Sequence, residues 1–173
     1  MKKIQRDFET IVSDIVNAKR KLADYLDLPG PPPLAGKPVP AKQLEALETH
    51  LIRKGLSFPT SYREFLSVHN GIKDFDSDID LLAASEVRKP VDEDLEDDFP
   101  TLSQFVIGSG NSPCFISFDP ETADASGEME VVWVMGDGEE FRYESFTKLL
   151  RDYRDQLVKT VSDEEADRKD LGG

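Results

Sequence analysis

Hydrophobic positions change period along this chain, and each change marks an element. Over residues 4–28, Ile4, Phe8, Ile11, Ile15, Leu22 and Leu26 recur close to helical spacing, with Lys19-Arg20-Lys21 near the far end, where a helix dipole favours cations. The spacing predicts an amphipathic helix. Its apolar face needs a cover, from its own domain first, or else from a second copy or a neighbouring molecule. Pro29-Gly30-Pro31-Pro32-Pro33 must stop the helix, and the segment to Pro40 reads as a stiff linker with no ladder of its own. A second helix is predicted over 41–54, with Leu44, Leu47 and Leu51 as its stripe and Gly55 as its stop. A third, short helix starts near residues 59 to 61. Pro59 suits a first turn, and Ser61 with Glu64 has capping-box spacing. Tyr62, Phe65, Leu66 and His69 then follow at i, i+3, i+4 and i+7, and Asn70-Gly71 supplies left-handed backbone to end the run.

From Asp74 the period shortens to two. Phe75, Ile79 and Leu81 fall on one face of a predicted strand and Asp74, Asp76, Asp78 and Asp80 on the other. An acidic loop is the competing reading; Phe75 and Ile79 favour the strand. Residues 92–98, Asp92-Glu93-Asp94-Leu95-Glu96-Asp97-Asp98, have almost nothing to bury and read as a solvated loop. Segments 103–109 and 113–119 read as strands, and 129–135 pairs with 139–143 across Gly136-Asp137-Gly138. Ser145 caps a closing helix faced by Phe146, Leu149, Leu150, Tyr153 and Leu157, and the tail from Ser162 reads as disordered. About five strands grouped between helices, with hairpin connections, indicate an α+β fold with a mainly antiparallel sheet.

The order of these signals resembles the SUKH superfamily, the Smi/Knr-type domains of bacterial immunity proteins and cell-wall regulators. Pro59, Tyr62, Phe65, Leu66, Asn70 and Gly71 carry the likeness, with Phe58 where the family's run has leucine. It continues through Ile79-Asp80-Leu81-Leu82, Phe105-Val106-Ile107-Gly108, Phe115-Ile116-Ser117-Phe118, Val131-Val132-Trp133 and Ser145 to Leu150, and covers roughly residues 40–155. The expected division is a helix and proline-rich linker over 1–39, the domain over 40–158, and a disordered acidic tail over 159–173. The resemblance implies an antitoxin that binds and neutralises a cognate toxin, often a nuclease. The alternative it implies is a non-catalytic scaffold or regulatory binding module of the cell-wall type. Those six motif residues are expected to build the fold and not to touch the partner.

Charge sharpens this expectation. The net charge of −14 is uneven: residues 1–73 hold twelve Lys and Arg against eight Asp and Glu, a balance of +4, which leaves −18 for the remainder. Such a surface repels nucleic acid and attracts a basic partner, although acidity by itself also serves solubility. Asp74, Asp76, Asp78, Asp80, Asp92, Glu93, Asp94, Glu96, Asp97 and Asp98 are therefore the candidate partner-binding residues for a toxin with a basic surface. The single Cys114, the absence of an apolar leader after Met1, and the lack of any run near 20 apolar residues lead to the expectation of a soluble cytoplasmic protein.

Candidate chemistry is thin. The nucleophile and base inventory is His50, His69 and Cys114; His69 reads as a packing residue suited in its positive form to a helix end, Cys114 as a small hydrophobe, and His50 has no assigned role. Asp74-x-Asp76-x-Asp78 has the start of a calcium loop, but Ile79 and Ser85 stand where glycine and glutamate are needed. Gly108-Ser109-Gly110 lacks the lysine of a phosphate cradle and is followed by Pro113. Trp133 is expected to be mostly buried. No catalytic residue, metal or cofactor is expected.

Overall fold

The structure, a computed structural model, describes residues 2–27, 34–76, 79–89, 93–110 and 114–171. Helix α1 (Lys2–Leu26) precedes a two-residue strand β1 (Leu34–Ala35), then α2 (Ala41–Arg53) and α3 (Thr60–Leu66). Strands β2 (Ile72–Asp76) and β3 (Ile79–Leu81) follow. A short α4 (Glu93–Asp98) and a 3-10 turn (Leu102–Phe105) lead into β4 (Val106–Gly110), β5 (Phe115–Phe118), β6 (Val131–Val134) and β7 (Glu140–Tyr143), and α5 (Phe146–Leu171) closes the chain. The strands form one antiparallel meander in sequence order, β1 to β7. The fold class is α+β, as the grouping of strands between helices requires. Two strands beyond the expected five arise because residues 72–81 form a hairpin and not one strand, and because Leu34–Ala35 pairs with Lys73 and Ile72. The linker thus carries a short ladder; its Pro29–Pro33 part lies outside the described residues.

Alternation assigns each sheet face. In β5 and β6, Ile116, Phe118, Val131 and Trp133 point to the main core, while Phe115, Val132 and Val134 point to a second cluster with Leu102 and Val106. On the main face Tyr62, Phe65 and Leu66 of α3 are each no more than 1% exposed. Phe65 meets Phe8 of α1 edge-on at 6.1 Å and Phe146 of α5 at 5.0 Å, and Tyr62 meets Phe118 at 5.4 Å. Edge-on geometry suits the ring quadrupoles, so these contacts add to the area buried. Trp133 is 6% exposed, as expected for a core ring.

The ends of α3 differ from the expected capping box. Ser61 receives its partner from far along the chain: its N–H and its hydroxyl donate to Glu128 Oε1 and Oε2, both at 2.7 Å. A carboxylate at a helix start satisfies orphan amides and opposes the dipole, so Glu128 fills the role assigned to Glu64. The helix stops at Leu66, before Asn70-Gly71. Asn70 Oδ1 instead accepts from the Ala84 amide at 2.8 Å, and Gly71 has φ +79°. A Cβ on Gly71 would sit 2.4 Å from the Leu81 carbonyl oxygen, so glycine is required by both backbone angle and space.

Helix α1 belongs to the same core as the sheet and is not a separate module. Phe8, Ile11, Val12 and Ile15 are each at most 2% exposed and share the main cluster with α3 and α5. Helices α1 and α5 run side by side in one direction, joined by Phe8 with Phe146 at one end and by Lys21, Tyr25, Glu165 and Arg168 at the other. This partnership overturns the expected disorder after Ser162. Val161 is 7% exposed and extends the stripe of Leu150, Tyr153 and Leu157, while Lys21 Nζ and Tyr25 Oη reach Glu165, each at 2.9 Å. A polar helix end with little to bury holds its form when a neighbouring helix supplies contacts that composition does not reveal. Among the described residues no helix is long and apolar enough to cross a membrane.

Candidate functional site

The carboxylates of β2 and β3 do not form a row on one strand face. Ile72 pairs with Leu81 and Asp76 with Ile79, so β2 carries two more residues than β3 across the same span. This bulge places Asp74 at φ +53°, a left-handed conformation that aspartate tolerates better than most residues. Asp80 fills the bulge: its Oδ1 accepts the Asp74 amide and its Oδ2 the Lys73 ammonium, both at 2.7 Å. Burial raises the Asp80 carboxyl, but the Lys73 ammonium and the Asp74 amide outweigh it and hold the group below its ordinary value. Lys19 of α1 braces the bulge by donating to the Asp74 and Phe75 carbonyls at 2.6 and 3.1 Å. Burial lowers the Lys19 pKa, against the pull of Asp76 and Asp74. Asp80 is thus a structural carboxylate, Asp74 is exposed, and Asp78 lies outside the described residues.

Asp76 opens onto a groove of about 280 Å³ lined by Trp133, Met135, Phe141, Tyr143, Tyr153 and Gln156. The alternation of β6 and β7 puts Trp133 opposite Phe141 and turns Phe141 and Tyr143 to the same side. Helix α5 supplies Tyr153 and, three residues on, Gln156, which is the helix spacing that shares a face. Tyr153 stacks on Phe75 at 4.4 Å, and its hydroxyl stands 2.6 Å from the Phe75 carbonyl oxygen and 3.0 Å from Asp76 Oδ1. Burial, then the Asp76 charge, raises the Tyr153 pKa, so the phenol keeps its proton. The hydroxyl is shared between the two acceptors, with the Phe75 carbonyl the nearer, and among the described residues Asp76 has no ion pair. Phe141 is 42% exposed, whereas the buried Trp133 Nε1 donor has no hydrogen-bond partner among the described residues.

The second acidic segment is helical and not an open loop. In α4, Leu95 and Phe99 just beyond it pack on the cluster of Val132 and Val134, which leaves Asp94, Glu96, Asp97 and Asp98 exposed on the outer side. Two apolar residues four apart are enough to dock this turn and a half, a spacing hidden among carboxylates. Glu96, Asp97 and Asp98 form no ion pair among the described residues. Asp92 lies outside the described residues, and so does the side chain of Glu93.

The aromatic-faced α3, the Gly71 turn and strands β2 to β7 are matched by a family profile: that of the SMI1 / KNR4 family (SUKH-1) covers residues 38–152. The chain belongs to this family. No curated protein matches the sequence. The SUKH-1 match ends before the distal half of α5 and begins after α1, so the paired helices α1 and α5 extend beyond it. Family members are in general immunity or regulatory proteins and not catalysts.

Within this SUKH-1 domain the expected motif residues are fold-makers. Pro59, Tyr62, Phe65, Leu66 and Gly71 are buried, and Asn70 ties α3 to the segment after β3. His69 packs its ring 6.0 Å from that of Phe65, and burial lowers its pKa against a backbone hydrogen bond with Gly36 and the Glu9 charge. His69 is thus the packing residue expected, and burial holds its imidazole toward the neutral form rather than the positive form that would suit a helix end. Cys114 packs half-buried against the main core, close enough that a Cβ on Gly136 would lie 3.3 Å from its Sγ. Among the described residues no group of three or more His, Cys, Asp or Glu is placed to hold a metal ion. The aromatic groove escaped the sequence reading because its walls come from β2, β6, β7 and α5. The alternate pair Phe141 and Tyr143 on an otherwise polar strand is a partial signal of one wall and does not reveal the others.

Proposed function

We propose that this SUKH-1 protein is an immunity protein that binds a cognate toxin with a basic surface, a nuclease by preference, and neutralises it by covering that surface. The observation that supports this reading is α4: a helical turn docked through Leu95 whose outer face presents Glu96, Asp97 and Asp98, none of them in an ion pair among the described residues. Unpaired carboxylates on a fixed element raise the local negative potential, speed encounter with a basic partner and exclude its anionic substrate. The other sequence candidates, Asp74, Asp76, Asp78, Asp92, Glu93 and Asp94, remain in the proposed set on charge alone. Asp80 leaves the set because Lys73 already balances it.

The test is neutralisation of the product of the adjacent reading frame by a variant carrying Glu96→Lys, Asp97→Lys and Asp98→Lys. Association should slow by about 10-fold or more at low salt and lose most of its salt dependence. Unchanged protection removes α4 from the mechanism. A neighbouring product that is harmless to cells lacking this protein favours the regulatory-module alternative.

A further inference from the structure

The groove beside β7 has the composition of a cation receptor. Trp133, Phe141, Tyr143 and Tyr153 bring four aromatic rings to one opening of about 280 Å³, and Asp76 brings a carboxylate to the same opening. Ring faces carry negative potential and attract a cation within about 6 Å of the centroid, most strongly where water is partly excluded. Among the described residues the carboxylate has no ion pair, and the Tyr153 hydroxyl that reaches its Oδ1 is shared with the nearer Phe75 carbonyl. The Lys19 ammonium, which feels the Asp76 charge, is spent on the Asp74 and Phe75 carbonyls. Arg142, on the same strand as Phe141, is directed to the other sheet face, where Asp119, Glu130 and Glu140 hold it.

We propose that this groove receives an arginine side chain of a protein partner, its guanidinium stacked between the rings and bonded to Asp76. Arginine suits the site better than lysine. Its planar head stacks on aromatic faces while its fork of five donors reaches the Asp76 carboxylate, the Gln156 amide oxygen and the Tyr143 hydroxyl together. Met135 and the exposed edge of Phe141 offer apolar surface to the methylene stem. The chain's acidity beyond residue 73 steers such a partner toward the opening. The proposal rests on the protein-partner reading above for the source of the arginine, but not for the existence of the site.

Trp133 is the only tryptophan in the chain, so its indole N–H gives a single reporter signal in the groove wall. Titrating the isotope-labelled full chain with acetyl-Gly-Arg-Gly-amide should move that signal saturably, with a dissociation constant on the order of 1 mM, as befits one side chain. The same peptide with citrulline, which keeps the shape and loses the charge, should leave it in place. Asp76→Asn, which preserves size and the Tyr153 contact, should weaken binding about tenfold, and Phe141→Ala, at an exposed site, a few-fold. Equal shifts by arginine and citrulline peptides, or an unchanged titration in Asp76→Asn, would overturn the proposal. Tighter binding of the lysine or trimethyl-lysine peptide would overturn the choice of arginine. Because the titration contains no toxin, its failure leaves the antitoxin reading standing, and loss of protection in the α4 variant leaves the groove standing.

Discussion

The sheet face under α1, α3 and α5 and the face under α4 and the Leu102–Phe105 turn are built from alternate residues of the same strands, yet they are secured differently. On the first, rings from distant parts of the chain, Phe8, Tyr62, Phe65, Phe118 and Phe146, touch one another directly. On the second, Leu102, Val106, Phe115, Val132 and Val134 are covered by the local segment between β3 and β4, with Leu82, Leu95 and Phe99 only partly buried. Long-range interlock puts the stability on one side. A locally covered face is cheaper to alter, and it is the side that carries α4 and its carboxylates.

Phe65→Ala should break this contrast most severely. Phe65 is fully buried among Phe8, Tyr62, His69 and Phe146, and its removal opens a cavity that rings on three helices and the segment after α3 cannot all close. The expected loss is about 3–5 kcal/mol in equilibrium denaturation. Val132→Ala tests the other face. Val132 is equally inaccessible, but its neighbours sit on a short segment able to settle inward, so about 1.5–2.5 kcal/mol is expected. Equal losses in the two variants would mean that the faces are equally rigid and that the distinction fails.

Local periodicity was enough to read the first face. Tyr62, Phe65 and Leu66 at helical spacing, and the alternation of Val131 to Val134, have one solution each, and both are present. What escaped detection depended on neighbours distant in sequence. Seven alternating residues from Asp74 to Asp80 fit a strand or a bulged hairpin equally well, and only the register of Ile72 with Leu81 separates them. Residues 162–171 look unable to fold until α1 lies beside them. The groove was invisible for the same reason, since Asp76, Trp133, Phe141 and Tyr153 belong to four elements and no motif joins them.

The first face is also held by a polar contact at the start of α3, and Glu128→Ala sharpens the comparison by cutting it. The variant removes both acceptors of Ser61, so α3 loses its start, and about 1–2 kcal/mol should go with it. Glu64→Ala is the informative control. A local capping box makes Glu64 the costly position, whereas the observed contacts make it nearly neutral. Amide exchange at the first turn of α3 should rise in the Glu128 variant alone; a rise in the Glu64 variant instead would restore the local cap.

The smallest effect concerns Asp80 and separates a structural carboxylate from a recognition carboxylate. Its partner Lys73 is well exposed, so solvent screens the pair and Asp80→Asn should cost less than about 1 kcal/mol near neutral pH. The pH dependence is more telling than the size. Burial alone would raise the Asp80 carboxyl, but Lys73 and the Asp74 amide bring it below its ordinary value of 3.8, so the folded state binds its proton less readily than the unfolded state. The stabilisation is therefore complete above that value and drains away as the pH falls through the lower folded value. Stability curves of the parent and of Asp80→Asn should run parallel from pH 7 to about 5 and converge below about 4. If the Asp80→Asn curve keeps its distance from that of the parent at low pH, the bulge is not held by the Asp80 carboxylate, and Asp80 returns to the acidic residues available for a basic partner.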